Sequence, residues 1–347
     1  MSIEVKPQKP WAMTPKEMVY PAFLILLSAL ATLITVLVSP MNGKLAYAFL
    51  FFTFSTLSLF FYKYRIRGKQ AAIDSLAGSI ALTGALIVFA PVVSILATTI
   101  VKGVPGLHWS LFTETMFSAS YMDPVENGGL LHAIVGTLYL IALSIIISVP
   151  MGILTALYLT EIKGPGSKFI QFTIQAMSGV PSVVAGLFIF AAVILTTPLK
   201  ASGIDGAFAL SILMVPTVTR TAQEVLLLVP NDLREAGLAM GATQWRTVAS
   251  IVVPAARNGL LTATILGVAR IAGETAPLIF TIGGSDKLNL NPFHDYQGAL
   301  PFYVWKGLLL GTPESIQRAW TGILVLLILV LTLFTLARSF GSRKAGK

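Results

Sequence analysis

The 347-residue sequence has no cysteine, few histidines and few charges, and each scarcity excludes a class of protein. Without cysteine there are no disulfides or thiolate metal sites, and His108, His132 and His294 are too scattered to suggest a metal cluster. Only 11% of the residues are charged, against about one quarter in soluble proteins. With 55% hydrophobic residues and a mean hydropathy of +0.81, the composition predicts a polytopic membrane protein.

Eight apolar runs are long enough to cross a hydrocarbon core of about 30 Å, which takes roughly 20 helical residues. Because lipid cannot hydrogen-bond to an open backbone, and the runs are too long for barrel strands, the predicted fold is all-α. The first run is too long for a signal peptide, so we expect it to be a retained span. The predicted spans are 19–38, 44–62, 76–101, 130–160, 169–197, 207–229, 259–283 and 317–338.

The basic residues predict the orientation of these spans, because Lys and Arg accumulate on the cytoplasmic side. With the N-terminus inside, the inner segments carry sixteen of the 24 basic residues and the outer segments carry six. The net charge of +9 therefore reports topology, and no basic run is interleaved with aromatics as in a nucleic-acid interface. Both termini and the loop 231–254 are expected in the cytoplasm.

The loop 231–254 is polar and has the pattern of a helix pair. Asp232 and Glu235 resemble a capping box, Gly241 ends the first helix, and Thr243 is placed to cap a second one that runs toward Pro254. An apolar stripe is expected from Leu233, Ala236, Gly237 and Met240. This pattern fits a helix that docks on a cytoplasmic partner, and equally an interfacial helix anchored by Trp245 and Arg246.

Residue spacing favours the partner. The loop closely resembles the E-A-A, three residues, G, nine residues, I-x-L-P signature of ABC importer permeases, at Glu235, Ala236, Gly237, Gly241, Ile251, Val253 and Pro254. Gly237 and Val253 depart from it conservatively. The resemblance implies a coupling helix that docks in a groove of a cytoplasmic ATPase. The residues expected to couple are Arg234, Glu235, Ala236, Gly237, Met240 and Gly241.

No G-x-x-x-x-G-K-[ST] motif occurs, so ATP hydrolysis is expected in a separate chain and the protein is not expected to be an enzyme. No cofactor is predicted here, since ATP and Mg²⁺ would be used by the partner ATPase.

Ionisable groups inside spans are costly and therefore functional by default. Arg220 with Glu224 and Arg270 with Glu274 are two such pairs, each with the i, i+4 spacing of one helix face. In the simpler interpretation each Glu only neutralises its Arg. In the functional one the arginines bind an oxyanion, because the planar guanidinium matches phosphate or sulfate oxygens.

The segment ARIAGETAPLIF from Ala269 to Phe280 resembles the R-x-x-G-E-T-A-P signature of phosphate-uptake (PstA-type) permeases, and 178–187, 216–224 and 229–231 agree. This resemblance covers about 76–340. It implies a type I importer core of six helices, preceded here by two extra helices, in a prokaryotic inner membrane. The implied partners are a homologous second permease in a heterodimer, two ATPase subunits, an extracytoplasmic phosphate-binding protein and phosphate itself.

The predicted substrate pathway comprises Arg220, Glu224, Arg270, Glu274, Ser178, Ser182 and Thr275. Interruptions at Gly179, Pro181, Pro216, Gly273 and Pro277 would open backbone groups toward a cavity, although packing of small residues explains them as well. In the outer loop 284–316 we expect a partly re-entrant or interfacial helix, with Tyr303 and Trp305 in an aromatic belt and His294 in solvent.

The predicted domains are an N-terminal extension at 1–70, a permease domain at 71–340 and a basic cytoplasmic tail at 341–347. Three alternatives remain open at the sequence level. They are a permease for sulfate, molybdate or a phosphonate, a membrane sensor or scaffold that does not transport, and a secondary transporter, which the absence of an internal repeat disfavours.

Overall fold

A computed structural model describes residues 15–39, 43–197 and 200–343, and the terminal lysines Lys6, Lys9, Lys344 and Lys347 lie outside these ranges. The described residues are helical apart from loops and one isolated bridge between Gly283 and Gln297, as the all-α prediction requires. The α-helices are α1 (Pro15–Val38), α2 (Lys44–Gly103), α3 (Ser110–Thr113), α4 (Leu131–Leu157), α5 (Ser167–Ser178), α6 (Ser182–Ile189), α7 (Gly203–Leu227), α8 (Asn231–Ala239), α9 (Gln244–Thr247), α10 (Val253–Ala272), α11 (Ala276–Thr281), α12 (Leu300–Leu310) and α13 (Pro313–Arg343).

Five described helical segments are long and apolar enough to cross a membrane, and up to seven if each bent pair counts as one span. All eight predicted spans fall on helices, and the long helix α2 contains both the second and the third of them. Inside α2, Gly68 has φ 80° and ψ −179°, which interrupts the helix within the basic segment 63–69. Glycine adopts this positive φ without steric cost, so the two predicted spans are separated by a break and not by a loop.

Two predicted spans differ from single straight helices. The span 169–197 consists of α5 and α6, which are bent by 105° at Gly179–Pro181. The span 259–283 begins earlier, because α9, a π-turn at Val248–Val252 and α10 form one continuous segment, and it ends at Ala272. The π-turn precedes Pro254, whose nitrogen has no hydrogen to donate to the preceding turn. Pro216, in contrast, lies inside an uninterrupted α7.

The chain divides into two compact units between Ile95 and Leu96, within α2. In the first unit α1 and α2 form a hairpin, in which Tyr20 stacks on Tyr62 at 4.8 Å and the hydroxyls of Ser28 and Ser58 lie 3.1 Å apart. The predicted boundary at 70/71 lies two residues after the Gly68 break and stays a prediction.

Two core clusters of the second unit are formed by α4, α6, α7, α10 and α11, and a third joins the start of α4 to α12 and α13. Val218 of α7 packs against Gly152 of α4 and Gly267 of α10. A Cβ added at either glycine would lie within 2.8 Å of the Val218 side chain. Gly259 of α10 packs on Val225 further along α7. Since the numbers rise along α7 as they fall along α10, these two helices run antiparallel.

Candidate functional site

The loop 231–254 folds as the predicted helix pair, with one difference at its start. Helix α8 begins at Asn231 after Pro230, which provides no side-chain cap, so the expected capping box of Asp232 and Glu235 does not form. Gly241, with φ +79°, follows the end of α8. The Thr243 hydroxyl accepts a hydrogen bond from the backbone N–H of Arg246 at 3.4 Å and caps α9 as predicted.

Gly237 lies on the inner face of α8 and not on the face expected to meet a partner. It is buried, and a Cβ at this position would lie 2.7 Å from Cγ2 of Thr247 and 2.8 Å from Cδ1 of Ile251. The small residue in the signature therefore permits α8 to pack on the segment that follows it. The expected stripe is divided accordingly, because Leu233, Ala236 and Met240 are exposed while Gly237 is not.

Arg234 also points inward, toward the end of α4. Its Nε and Nη2 donate to the two carboxylate oxygens of Glu161 at 2.9 and 2.7 Å, and these bonds raise the pKa of the guanidinium. Its Nη1 and Nη2 also donate to the carbonyls of Val229 and Leu226 at 2.6 and 2.9 Å. Gln244 Nε2 donates to the backbone carbonyl of Glu161 at 2.6 Å. Arg234 thus holds α8 in place.

Glu161 is the residue that sequence reasoning missed. It lies in a π-turn, Tyr158–Ile162, that extends α4, and its side chain is 6% exposed. The only signal in the sequence is an acid at the end of a span in a loop that otherwise carries Lys163 and Lys168. Nothing in that pattern indicates a partner 73 residues away.

Helices α8 and α9 expose several apolar side chains around the acid Glu235. Met240 is 87% exposed and Trp245 is 63% exposed, and Leu238, Glu235 and Ala236 are exposed beside them on α8. We call this surface, formed by Glu235, Ala236, Leu238, Met240 and Trp245, the outward face of the helix pair. A large exposed apolar surface of this kind marks a site of interaction.

The first charged pair, Arg220 and Glu224, lies on α7 as expected, and both side chains are exposed. Neither makes an ion pair or hydrogen bond with any residue that the structure describes. In this conformation Glu224 therefore does not neutralise Arg220 through a direct contact.

The second pair does not share a helix. Arg270 is exposed in the last turn of α10, which ends at Ala272, whereas Glu274 lies in the break before α11 and is half-buried. Arg270 and Glu274 therefore do not share one helix face as predicted, because Gly273 ends the helix. Within the described ranges, Arg270 likewise has no acidic partner within 4.0 Å.

The antiparallel packing of α7 and α10 gives the relative depth of the two arginines. The contacts of Gly259 with Val225 and Gly267 with Val218 place Arg270 level with residue 215, the middle of α7. Arg220 lies five residues further along, about 7 Å along the helix axis at 1.5 Å per residue. Arg270 and Arg220 thus lie at two successive depths near the middle of their spans, and both are exposed.

The three predicted hydroxyls lie at the helix breaks. Ser178 ends α5 and donates to the carbonyl of Ile174 at 2.9 Å, while Ser182 begins α6 and Thr275 immediately precedes α11. The hydroxyls of Ser182 and Thr275 make no hydrogen bond to a described residue. Helices α6 and α11 are in direct contact, because Gly186 packs against the backbone of Pro277.

The outer loop contains a polar cluster beside the buried ring of Tyr303, which was expected in an aromatic belt. Tyr303 is 1% exposed and packs on Tyr121 at 5.0 Å, so its assignment to the belt was wrong. Lys306 Nζ binds the Asp286 carboxylate at 2.5 Å, and the Tyr121 hydroxyl donates to the same group at 3.3 Å. Burial, followed by the charge of Asp286, raises the pKa of Tyr121. His294 is exposed, as expected.

Arg318, one of the six basic residues predicted in the outer segments, is 1% exposed. Its Nη2 donates to the backbone carbonyls of Asp123, Pro124 and Asn127 at 3.3, 2.6 and 2.8 Å. It makes no ion pair with a carboxylate of the described chain. The arginine therefore attaches a turn of the outer segment to the start of α13.

Comparison with known proteins agrees with this architecture. Residues 148–345 match the family described as binding-protein-dependent transport system inner membrane component. Together with the apolar helices, this match defines the class: a multi-pass inner-membrane permease of an ABC importer, not itself an enzyme. Permeases of this class work with a separate ATPase and a substrate-binding protein.

Individual relatives narrow the class. The phosphate transport system permease protein PstA of Haemophilus influenzae is 38% identical over 262 residues, which cover 72% of this chain and 87% of the relative. PstA 1 of Mycobacterium tuberculosis strain H37Rv is 35% identical over 265 residues, covering 75% and 84%. The chain belongs to the PstA family of these permeases.

One solved structure, titled as inward-facing conformations of the MetNI methionine ABC transporter, matches with 20% identity and a TM-score of 0.46. The match covers 62% of this chain and 92% of that one.

Proposed function

We propose that this chain is a permease subunit of an ATP-driven, binding-protein-dependent importer of inorganic phosphate and forms half of the translocation pathway. The relatives described above are named for phosphate transport. The observation that carries the proposal is the pair Arg220 and Arg270, which are exposed near mid-span and lack an acidic partner in the described chain. An unpaired guanidinium does not face lipid stably, so these surfaces face a water-filled path or a second permease.

Phosphate is the anion that these groups suit. Removing its hydration in a low-dielectric core costs many kcal/mol, and a guanidinium replaces that hydration with two parallel charge-assisted bonds. Glu224 and Glu274 are proposed to orient the arginines or to accept a bond from a protonated phosphate, which fully ionised sulfate cannot donate. The free hydroxyls of Ser182 and Thr275, and that of Ser178, complete the pathway.

The outward face of the helix pair is the proposed docking surface for the ATPase, which uses ATP and Mg²⁺ while this chain binds no cofactor. In this arrangement Glu235, Ala236 and Met240 contact the partner, whereas Arg234, Gly237 and Gly241 shape the helix pair that presents them. Both termini then face the cytoplasm, and the other half of the pathway comes from a homologous permease in a heterodimer.

Binding-protein-dependent phosphate uptake in vesicles that contain the assembled complex tests the proposal. Arg270→Ala is expected to abolish uptake while the ATPase stays bound, because only the pathway loses its cation. Arg257→Ala is the matched control, since Arg257 is also exposed on α10 but lies near its cytoplasmic end. Normal uptake by the Arg270 variant would refute the pathway role.

A competition experiment identifies the transported anion. Excess phosphate is expected to suppress uptake of labelled phosphate, and equimolar sulfate is expected to leave it unchanged. Suppression by sulfate would identify a permease for another oxyanion. ATP binding and hydrolysis without any uptake would identify a sensor.

A further inference from the structure

A side-chain connection joins α8 to a helix that the backbone does not link to it. The chain connects α8 only to α7 on one side and to α9 and α10 on the other. Arg234 crosses from α8 to Glu161 at the end of α4 through two parallel bonds of 2.9 and 2.7 Å. A bidentate pair of this kind fixes orientation as well as distance.

Glu161 accepts hydrogen bonds from both helices of the pair, α8 and α9. Its carboxylate accepts from Arg234 of α8, and its backbone carbonyl accepts from Gln244 at the start of α9. Arg234 in turn donates to the carbonyls of Leu226 and Val229, at and just beyond the end of α7. The pair therefore gathers the ends of α4, α7, α8 and α9 at one point, and its carboxylate is only 6% exposed.

Helix α4 extends from this point to the opposite end of the permease core. With its π-turn it runs without a break from Leu131 to Ile162, about 48 Å at 1.5 Å per residue. Near its other end, the Thr137 hydroxyl accepts from the backbone N–H of Leu300 in α12 at 2.8 Å. Helix α4 therefore connects the Glu161 contact to the outer segment.

We propose that Glu161 is a positioning residue for energy coupling: it fastens the ATPase-docking helix to α4, so that a movement of α8 displaces α4 together with α7 and α10. The proposal rests on the docking role of α8 proposed above. Without the Glu161 carboxylate, α8 remains tethered through the backbone and keeps its outward face. Docking and ATP hydrolysis are then retained while transport per ATP falls.

The test uses the assembled complex in vesicles, with phosphate uptake, ATP hydrolysis and ATPase co-purification measured on the same preparation. Glu161→Gln keeps the size and one acceptor but removes the charge. We expect unchanged co-purification and hydrolysis, and phosphate transported per ATP lower by about tenfold, within the usual range of coupling between sites. The double variant Glu161→Arg with Arg234→Glu restores an ion pair between the two positions. It is expected to recover most of the phosphate transport per ATP that Glu161→Gln loses.

Asp295→Asn is the matched control, because it breaks the ion pair of Lys200 and Asp295, whose side chains are 69% and 73% exposed. Exposed pairs of this kind contribute little, so no readout should change. An unchanged ratio in Glu161→Gln would overturn the positioning role while leaving docking intact. Loss of assembly in both Glu161→Gln and the double variant would reduce the pair to a purely structural contact and also overturn it. A wild-type complex that retains no ATPase would refute docking, and this proposal with it.

Discussion

Gly237 shows how one residue in a signature can serve the chain itself. It was predicted to offer a small surface to the ATPase, yet it packs on Thr247 and Ile251. Gly237→Val is expected to force α8 away from the following segment and to lower the free energy of unfolding by about 1–3 kcal/mol, as overpacking does. Thermal unfolding of the purified permease measures this loss. Ala239→Val is the control, since Ala239 is exposed on the same helix, and equal effects of both variants would contradict the packing assignment.

Arg318 is a second residue whose role depends on the contacts of a single side chain. Arg318→Met keeps a long apolar stem but removes the charged donor to three carbonyls. The turn 123–127 is expected to loosen at a cost of about 1.5–3 kcal/mol, the usual contribution of a hydrogen bond to a charged group. Limited proteolysis should then cleave this turn faster than in the wild type. Arg338→Met, an exposed arginine on the same helix, should leave the cleavage rate unchanged; if it does not, the attachment is disproved.

At the scale of elements, the helix pair 231–254 acts as a unit whose outward face carries one acid. Glu235→Lys reverses that charge and is expected to detach the ATPase or uncouple it from transport, as measured by co-purification and uptake. Glu126→Lys makes the same charge change on an exposed residue of the outer segment, away from the helix pair, and should leave binding and transport unchanged. Full binding and transport in the Glu235 variant would refute docking through this face.

The elements also show where sequence reasoning was sufficient. Long apolar runs predicted the helices, and Gly179, Pro181 and Gly273 predicted breaks, because these residues weaken or end helices wherever they occur. The break at Pro216 was wrong, since α7 continues through it. The 105° bend between α5 and α6 could not be predicted, because hydropathy reports how apolar a segment is and not the direction in which its helix runs.

The same limit applied to the site. Arg220 and Arg270 stood out because a charge inside an apolar run has no ordinary explanation. Glu161 and Arg318 did not, because charges at the ends of runs are common, and their partners lie 73 and about 190 residues away. Tertiary contacts of that range are absent from local periodicity.

At the scale of the whole molecule, the absence of cysteine permits a direct test of orientation. Met240→Cys on the proposed cytoplasmic side and Phe293→Cys in the outer loop both introduce a thiol at an exposed position. The permease is expressed without the ATPase so that residue 240 stays accessible. An impermeant maleimide is then expected to label the Met240→Cys variant only in inside-out vesicles and the Phe293→Cys variant only in right-side-out vesicles, as the excess of basic residues predicts. The cysteine-free wild type gives the background, and labelling of both variants from one side would overturn the topology.

The attachment of the outer turn to Arg318 has a consequence for how that turn is recognised. All three acceptors of the guanidinium are backbone carbonyls, those of Asp123, Pro124 and Asn127. Every residue of a chain carries such a carbonyl, so these bonds read the shape of the turn and not the chemistry of its side chains. Of the partners in this contact, only residue 318 must therefore keep its own side chain.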